Sequence, residues 1–191
     1  MRRAWARAGV WTFLALLLLY GFSTRVRGFS QGRPFSYDEG LYARLAIQLE
    51  LNPDDYSTKR IYEQDVQQGR RFNPGATAYL THPLFKHPPL FFDLLQVGLP
   101  DMRRGAEVPI QHFAALPALM GCLIMFVGFL IARRAYDTFT GLLAASFLFL
   151  DPNLWITSQK LWMETTLSAF MMAGLYGFLL ATERPDHPRR G

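Results

Sequence analysis

The chain has 191 residues, half of them hydrophobic and 15% aromatic, with a formal net charge of +5 and an isoelectric point of about 9.6. Its apolar residues form long runs, separated by a polar stretch from Arg25 to Glu107, which excludes an ordinary soluble globular domain. The basic residues stand mainly beside the apolar runs, where the orientation of membrane helices explains them, so the charge does not indicate nucleic-acid binding.

The first apolar run, residues 8–24, follows three arginines near the N-terminus. A basic segment before an apolar run is also typical of a secretory signal peptide. The residues that follow make a poor small-residue cleavage site, and more apolar runs come later in the chain. We therefore expect an uncleaved membrane helix, since about 20 apolar residues are needed to cross a bilayer.

A long outer loop, residues 25–107, is predicted to carry short helices. Ser36 and Glu39 have the spacing of a capping box, which predicts a helix as far as about Leu51. An apolar stripe on this helix predicts that it lies in the membrane interface; the stripe consists of Tyr42, Leu45, Ala46 and Leu49. A weaker polar helix is predicted over residues 59–71. The pair Pro88-Pro89 predicts a third short helix over residues 90–99.

The acidic pair Asp38-Glu39 stands at the start of the first loop helix, just above the expected membrane surface. One interpretation is structural, because carboxylates at a helix N-terminus satisfy free backbone N–H groups and the helix dipole. The other is catalytic, with Asp38 as the general base that deprotonates an attacking hydroxyl. Glu39 is a second catalytic candidate, and Tyr42, one turn further on, is a candidate substrate-binding residue.

Lys86 and His87 precede two prolines, which hold the backbone extended at this point. They either neutralise the phosphate of a lipid carrier or are charges that reach from the interface into water. His82 and His87 with the acidic pair match no compact metal-ligand spacing, so neither a metal nor another cofactor is predicted. The single cysteine, Cys122, lies in an apolar run and excludes a disulfide framework.

Three further spans are predicted, at residues 108–132, 136–158 and 161–182. Asp151-Pro152 should break the helix within the third or mark its outer end. The basic N-terminus, the pair Arg133-Arg134 and the arginine-containing tail fall on one side, which predicts a cytoplasmic N-terminus. The predicted fold class is therefore all-α: one polytopic membrane domain over residues 1–191, with about four transmembrane helices.

Glu164 and Lys160 stand at the outer end of the fourth span. A carboxylate at this depth is costly unless it is hydrated or paired. It either pairs with Lys160, four residues earlier, or faces the same outer cavity as Asp38. Both residues are candidates for substrate binding.

These motifs, in this order, resemble the N-terminal part of the GT-C membrane glycosyltransferases. The similarity is to the dolichyl-phosphate-mannose-protein mannosyltransferase-like family, which includes bacterial sugar transferases for lipid A and lipopolysaccharide. The motifs are Asp38-Glu39 with Tyr42-Ala43, His87-Pro88-Pro89-Leu90, Leu116-Pro117-Ala118-Leu119, Ala132-Arg133-Arg134, and Lys160 with Glu164. The family usually has Arg and Asp at the last two positions.

The resemblance implies a polyprenyl-phosphate-linked sugar donor, an acceptor glycan, lipid or protein, and inverting transfer at the outer face of a bacterial inner membrane, with Asp38 as base. Family members are usually much longer, so we expect this chain to be the N-terminal module of a larger fold and to associate with further membrane helices. The alternative is a non-catalytic membrane scaffold or partner subunit, and a third possibility is a lipid-phosphate-binding module without transfer activity.

Overall fold

The computed structural model describes residues 2–31, 36–69, 89–97 and 110–182. These residues form α-helices and a 3₁₀ turn without any β-strand, which confirms the predicted all-α fold class. In chain order the elements are α1 (Arg2–Ser30), α2 (Tyr37–Leu51), α3 (Lys59–Gln67), α4 (Pro89–Gln96), the 3₁₀ turn Ile110–Ala114, α5 (Ala115–Ala135), α6 (Thr138–Leu150), α7 (Pro152–Thr157) and α8 (Met163–Thr182).

Three stretches in the described part of the chain are long and apolar enough to cross a membrane: Ala8–Phe29, Gln111–Ala135 and Met163–Thr182. They overlap the predicted first, second and fourth spans, and the chain is an integral membrane protein. The first helix continues well past the predicted end at residue 24. Its last turns carry Arg25 and Arg27, so these two residues belong to a helix and not to the outer loop.

Helix α5 lies at the centre of the bundle and contacts α1, α6 and α8. Of its most apolar stretch, 61% is buried by protein, compared with 17% for α1 and for α8, so those two helices present most of their surface to lipid or to further helices. Glycine allows the closest approach. A Cβ atom added to Gly128 would lie 2.5 Å from the Leu148 side chain, so the missing side chain at Gly128 leaves room for Leu148 of α6 to pack against α5.

The predicted third span contains two helices, because the chain breaks at Asp151-Pro152 as the sequence indicated. Asp151 ends α6 and caps α7, its Oδ1 accepting the Leu154 N–H at 2.6 Å, and Pro152 occupies the first position of the new helix. Helix α6 has 13 residues, or about 20 Å at 1.5 Å per residue. Since the hydrocarbon core is about 30 Å thick, α6 stops about 10 Å short of crossing it.

One end of the bundle is covered by the loop helices; we call it the capped end, and the opposite end, with the α5–α6 turn, the turn end. The apolar stripe of α2 packs against protein: Tyr42 contacts Phe91 and Phe92 of α4 edge-to-face, with ring centroids 5.6 and 5.7 Å away. The same cluster includes Phe29 of α1 and Leu161 before α8. Helices α2 and α4 are therefore fixed to the ends of the spans.

Helix α3 is attached to α2 by side-chain hydrogen bonds. Arg44 Nη1 donates to both carboxylate oxygens of Asp65, at 2.8 and 2.9 Å, and its Nη2 donates to the Ile61 carbonyl. Both oxygens share one nitrogen of the guanidinium, and hydrogen bonds between charged groups such as these are stronger than neutral ones. It orders the predicted weaker helix, which ends at Gln67 instead of residue 71. The helix predicted over residues 90–99 begins at Pro89 and ends at Gln96.

Candidate functional site

Glu39 connects the first loop helix to the segment before α8. The predicted capping box is confirmed: Ser36 Oγ accepts the Glu39 N–H at 3.3 Å, and Glu39 Oε2 accepts the Ser36 N–H at 2.9 Å. The other carboxylate oxygen, Oε1, accepts the Leu161 N–H at 2.9 Å. Both oxygens of this fully buried side chain therefore accept backbone N–H groups.

Asp38 has a different environment although it is the next residue. Its side chain is exposed, and no hydrogen bond or ion pair engages its carboxylate within the described residues. The negative charges of Asp38 and Glu164 both affect the pKa of the Tyr42 phenol. Burial first, and then the negative charges of Asp38 and Glu164, raise the pKa of Tyr42 to about 12. The structure therefore brings together three of the predicted site residues, two of them exposed carboxylates and one a buried, protonated phenol.

Lys160 immediately precedes Leu161, whose N–H binds Glu39, and it does not pair with Glu164. Its Nζ atom is 4.0 Å from the centroid of the Trp162 ring, a cation–π contact. Glu164 is exposed in the first turn of α8. Of the two predicted alternatives for Glu164, the ion pair with Lys160 is absent from this part of the structure.

Arg25 is a second buried charged residue near this site, and sequence analysis missed it. Its side chain is 0% exposed. Nε donates to Ser158 Oγ at 2.7 Å and Nη1 to the Gly21 carbonyl at 3.1 Å, and the guanidinium carbon lies 5.1 Å from the Trp155 ring centroid. Arg25 thus holds the segment after α7 against α1, while Glu39 holds the same segment against α2.

A signal for Arg25 exists in the sequence. Gly21, Arg25 and Gly28 recur at four- and three-residue spacing, so they share one face of α1. Small residues on both sides of an arginine leave room for another chain segment to approach its guanidinium. A Cβ on Gly121 of α5 would likewise lie 3.2 Å from Arg25 Nε. The extension of α1 past residue 24, however, could not be read from hydropathy.

The remaining predicted site residues, Lys86 and His87, lie outside the described residues, as does His82. No cluster of three or more potential metal-ligating side chains occurs in the described ranges. Among the described residues, the candidate site therefore comprises Asp38, Tyr42 and Glu164, with Lys160 four residues before Glu164 in the chain and with Glu39 and Arg25 holding the supporting segments.

A known protein family matches the part of the chain that carries Lys160 and Glu164. Residues 101–189 match the family model of dolichyl-phosphate-mannose-protein mannosyltransferase. The match confirms the resemblance drawn from the sequence, and at family level it indicates a membrane glycosyltransferase of the mannosyltransferase type. It includes Lys160 and Glu164, whereas Asp38, Glu39 and Tyr42 precede it. No curated protein and no solved structure matches the chain.

Proposed function

We propose that the site at the capped end transfers a sugar, with inversion, from a polyprenyl-phosphate donor to a hydroxyl group of a glycan, lipid or protein. The observation that carries this proposal is the contrast within the acidic pair. Glu39 is buried with both oxygens occupied, whereas Asp38 is exposed and its carboxylate is free to accept a proton. The family match of the adjoining helices supports sugar transfer as the chemistry.

In the proposed reaction, the acceptor oxygen attacks the anomeric carbon from the face opposite the phosphate. A new C–O bond forms to the acceptor, and the bond between the anomeric carbon and the phosphate oxygen breaks. The polyprenyl phosphate leaves with the bonding electron pair, and Asp38 takes the acceptor's hydroxyl proton. A phosphate leaves without a general acid, so one carboxylate base is enough.

The other site residues would bind and orient the two substrates. The phenol of Tyr42 is protonated at physiological pH, with its pKa raised from 10.0 to about 12, and it would face the sugar or phosphate as a neutral group. Lys160, with Lys86 and His87, would neutralise the donor phosphate. Glu164 would accept hydrogen bonds from hydroxyl groups. We assign Glu39 the role of a positioning residue, because its carboxylate has no free oxygen.

We further propose that the capped end faces outward from a bacterial inner membrane, with the N-terminus in the cytoplasm. Arg133 and Arg134 at the turn end favour this orientation, because short basic loops remain on the cytoplasmic side. The site would then meet donors and acceptors at the outer face.

The decisive experiment replaces Asp38 with asparagine in the full protein. We expect Asp38→Asn to lower turnover by about 10²-fold or more, because proton removal by a positioned base contributes roughly that much. Donor affinity should change little, since the base acts on the acceptor. The assay follows transfer from polyprenyl-phosphate-[¹⁴C]mannose to a broad acceptor mixture in membranes that contain the protein.

The matched control is Glu50→Gln, the same type of change on the same helix but near its other end. Its turnover should remain close to that of the unmodified protein. Glu39→Gln should reduce turnover less than Asp38→Asn and stability more, since it weakens the capping box. Full activity in Asp38→Asn would show that Asp38 has only a structural role in the first turn of α2, and it would overturn the proposed mechanism.

A further inference from the structure

Between α6, α7 and the first turns of α8, the side of the bundle has an open recess that polar and apolar side chains line together. The cavity measures about 310 Å³ and has a floor of aliphatic side chains from α5, α6 and α7. Its polar lining consists of Asp151, Asn153, Thr157, Glu164, Thr165 and Ser168. This volume is at the small end of the range of about 300–1,000 Å³ that is usual for ligand sites.

The cavity lies below the end of the full-length spans. Ser158, which follows the broken helix, lies beside Gly121 of α5, where an added Cβ would be 2.7 Å from the Ser158 Cβ. Gly121 is six residues, or about 9 Å, inside the start of α5. Non-helical backbone at this depth is stable only where protein covers it or where it lines a water-filled space. Protein covers Ser158 and Leu161, whereas Asp151 is half-exposed and Glu164 exposed.

One lining group lacks a partner. Thr165 is 2% exposed, and its Oγ1 has no hydrogen-bond partner in the described ranges. A buried hydroxyl without a partner costs about 1–3 kcal/mol. Its neighbours are already engaged in part, since Thr157 Oγ1 donates to the Asn153 carbonyl and Asp151 Oδ1 accepts the Leu154 N–H. The Thr165 hydroxyl and the Glu164 carboxylate remain available to a ligand.

The lining chemistry selects among ligand classes. Two carboxylates repel a phosphate, and fewer than three metal-ligating groups come together within the described residues. Carboxylate, amide and hydroxyl groups suit a ligand with several hydroxyls, and the aliphatic floor suits the C–H face of a ring. We propose that this recess is water-filled and binds a sugar ring, either that of the donor or one on the acceptor; the inference rests on the proposed function.

Accessibility of the recess can be tested with one cysteine at a time. Cys122 is the chain's single cysteine, so Cys122→Ala gives a cysteine-free background. Ser168→Cys places a thiol in the recess, and Leu167→Cys, the control, places one on the exposed apolar surface of α8 at nearly the same depth. Because only a hydrated thiolate reacts, a membrane-impermeant cationic methanethiosulfonate should modify Ser168→Cys at least about tenfold faster. Equal rates would show that the recess is dry and overturn the proposal.

Ligand class is tested by protection of the Ser168→Cys thiol. Polyprenyl-phosphate-mannose and methyl α-D-mannopyranoside are compared with polyprenyl phosphate that carries no sugar. Protection by the mannose-bearing lipid alone assigns the recess to the donor sugar, and protection by the free glycoside also assigns it to an acceptor sugar. Equal protection by the sugar-free lipid, or no protection, would overturn a sugar site.

A second variant tests the Thr165 hydroxyl, which lacks a hydrogen-bond partner. Thr165→Val keeps the shape of the side chain and removes its hydroxyl, so sugar protection should weaken severalfold while the labelling rate without ligand stays the same. Unchanged protection would exclude Thr165 from the site. If the cysteine-free protein transfers sugar but no ligand protects the Ser168→Cys thiol in that background, the sugar-binding recess is excluded and the proposed reaction stands. Protection without transfer would support the recess and count against the reaction.

Discussion

The two ends of the bundle each stack an arginine on a tryptophan, and the difference between the two pairs is informative. At the turn end, Arg133 is exposed and its guanidinium carbon lies 5.5 Å from the Trp11 ring centroid. At the capped end, Arg25 lies 5.1 Å from the Trp155 ring centroid but is 0% exposed and enclosed by three helices and a turn. The first arrangement is a surface contact, whereas the second requires the surrounding backbone to be shaped around a charge.

Unsatisfied polar atoms follow the same division. Within the described residues, the buried side-chain atoms that lack a hydrogen-bond partner are Arg25 Nη2, Gln48 Oε1, Thr165 Oγ1 and Thr166 Oγ1. All four belong to the capped end. A buried polar atom without a partner can be satisfied by water or by a ligand, so within the described residues the capped end has such positions and the turn end does not.

The largest difference between the ends should appear when each arginine is truncated. We expect Arg25→Ala to lower the free energy of unfolding by about 2–4 kcal/mol, because it leaves a cavity in a packed site. Arg133→Ala should cost about 0.5–1 kcal/mol, the value of an exposed cation–π contact. Thermal unfolding in mild detergent measures both. Arg25→Met should recover most of the loss, since it restores the volume without a buried charge.

Equal losses of unfolding free energy in Arg25→Ala and Arg133→Ala would contradict the proposed difference between the buried and the exposed arginine. A loss in Arg25→Met as large as that in Arg25→Ala would show that the hydrogen bonds of the guanidinium, and not its volume, stabilise the capped end.

A smaller effect is expected from adding a methyl group to glycine. In Gly121→Ala the new Cβ would lie 2.7 Å from the Ser158 Cβ, so the segment after α7 must shift, at a cost of about 1–3 kcal/mol. Gly177→Ala on α8 meets nothing within 4 Å and should stabilise the helix by about 0.5–1 kcal/mol. Opposite shifts in melting temperature are therefore expected. A neutral Gly121→Ala would mean that the α7–α8 segment is not packed against α5.

The smallest effect concerns alkaline pH. The folded pKa of Tyr42 is about 12, above its ordinary value of 10.0, so between these values the folded protein keeps a proton that the unfolded chain loses. Stability should therefore fall as pH rises from 10 to 12. Tyr42→Phe should show a shallower fall in the same melting series. The slope should not vanish, because burial also raises the pKa of Tyr56. Identical slopes would show that neither burial nor the charges of Asp38 and Glu164 raise the pKa of Tyr42.

Local signals predicted much of the fold. Apolar runs gave the spans, Ser36 and Glu39 gave the start of α2, and Asp151-Pro152 gave the break, because each depends on residues close in the chain. The helix ends were less accurate. Helix α1 continues through Arg25 because Ser158 and Trp155 surround the guanidinium, and that partner segment is more than a hundred residues away.

In the candidate site, too, features that depend on neighbouring residues were predicted, whereas features that depend on distant contacts were not. The sequence pointed to the acidic pair but left the roles of Asp38 and Glu39 open, because neighbouring residues on a helix point in different directions and the distant Leu161 N–H distinguishes them. The apolar stripe of α2 was expected to rest on lipid and instead packs against the rings of α4. Hydropathy records that a face is apolar without indicating which surface covers it.

The hydrogen bond from Leu161 to Glu39 also sets an order of events during biosynthesis. Its two residues are 122 positions apart, so α2 leaves the ribosome long before its partner segment exists. Glu39 can accept this N–H only after the segment that precedes α8 has been synthesised and placed next to α2. Until then one oxygen of its carboxylate has no N–H from Leu161 and stays hydrated. Completion of the site is therefore coupled to placement of the segment that precedes α8, and an intermediate that lacks this segment should have a loosely held α2.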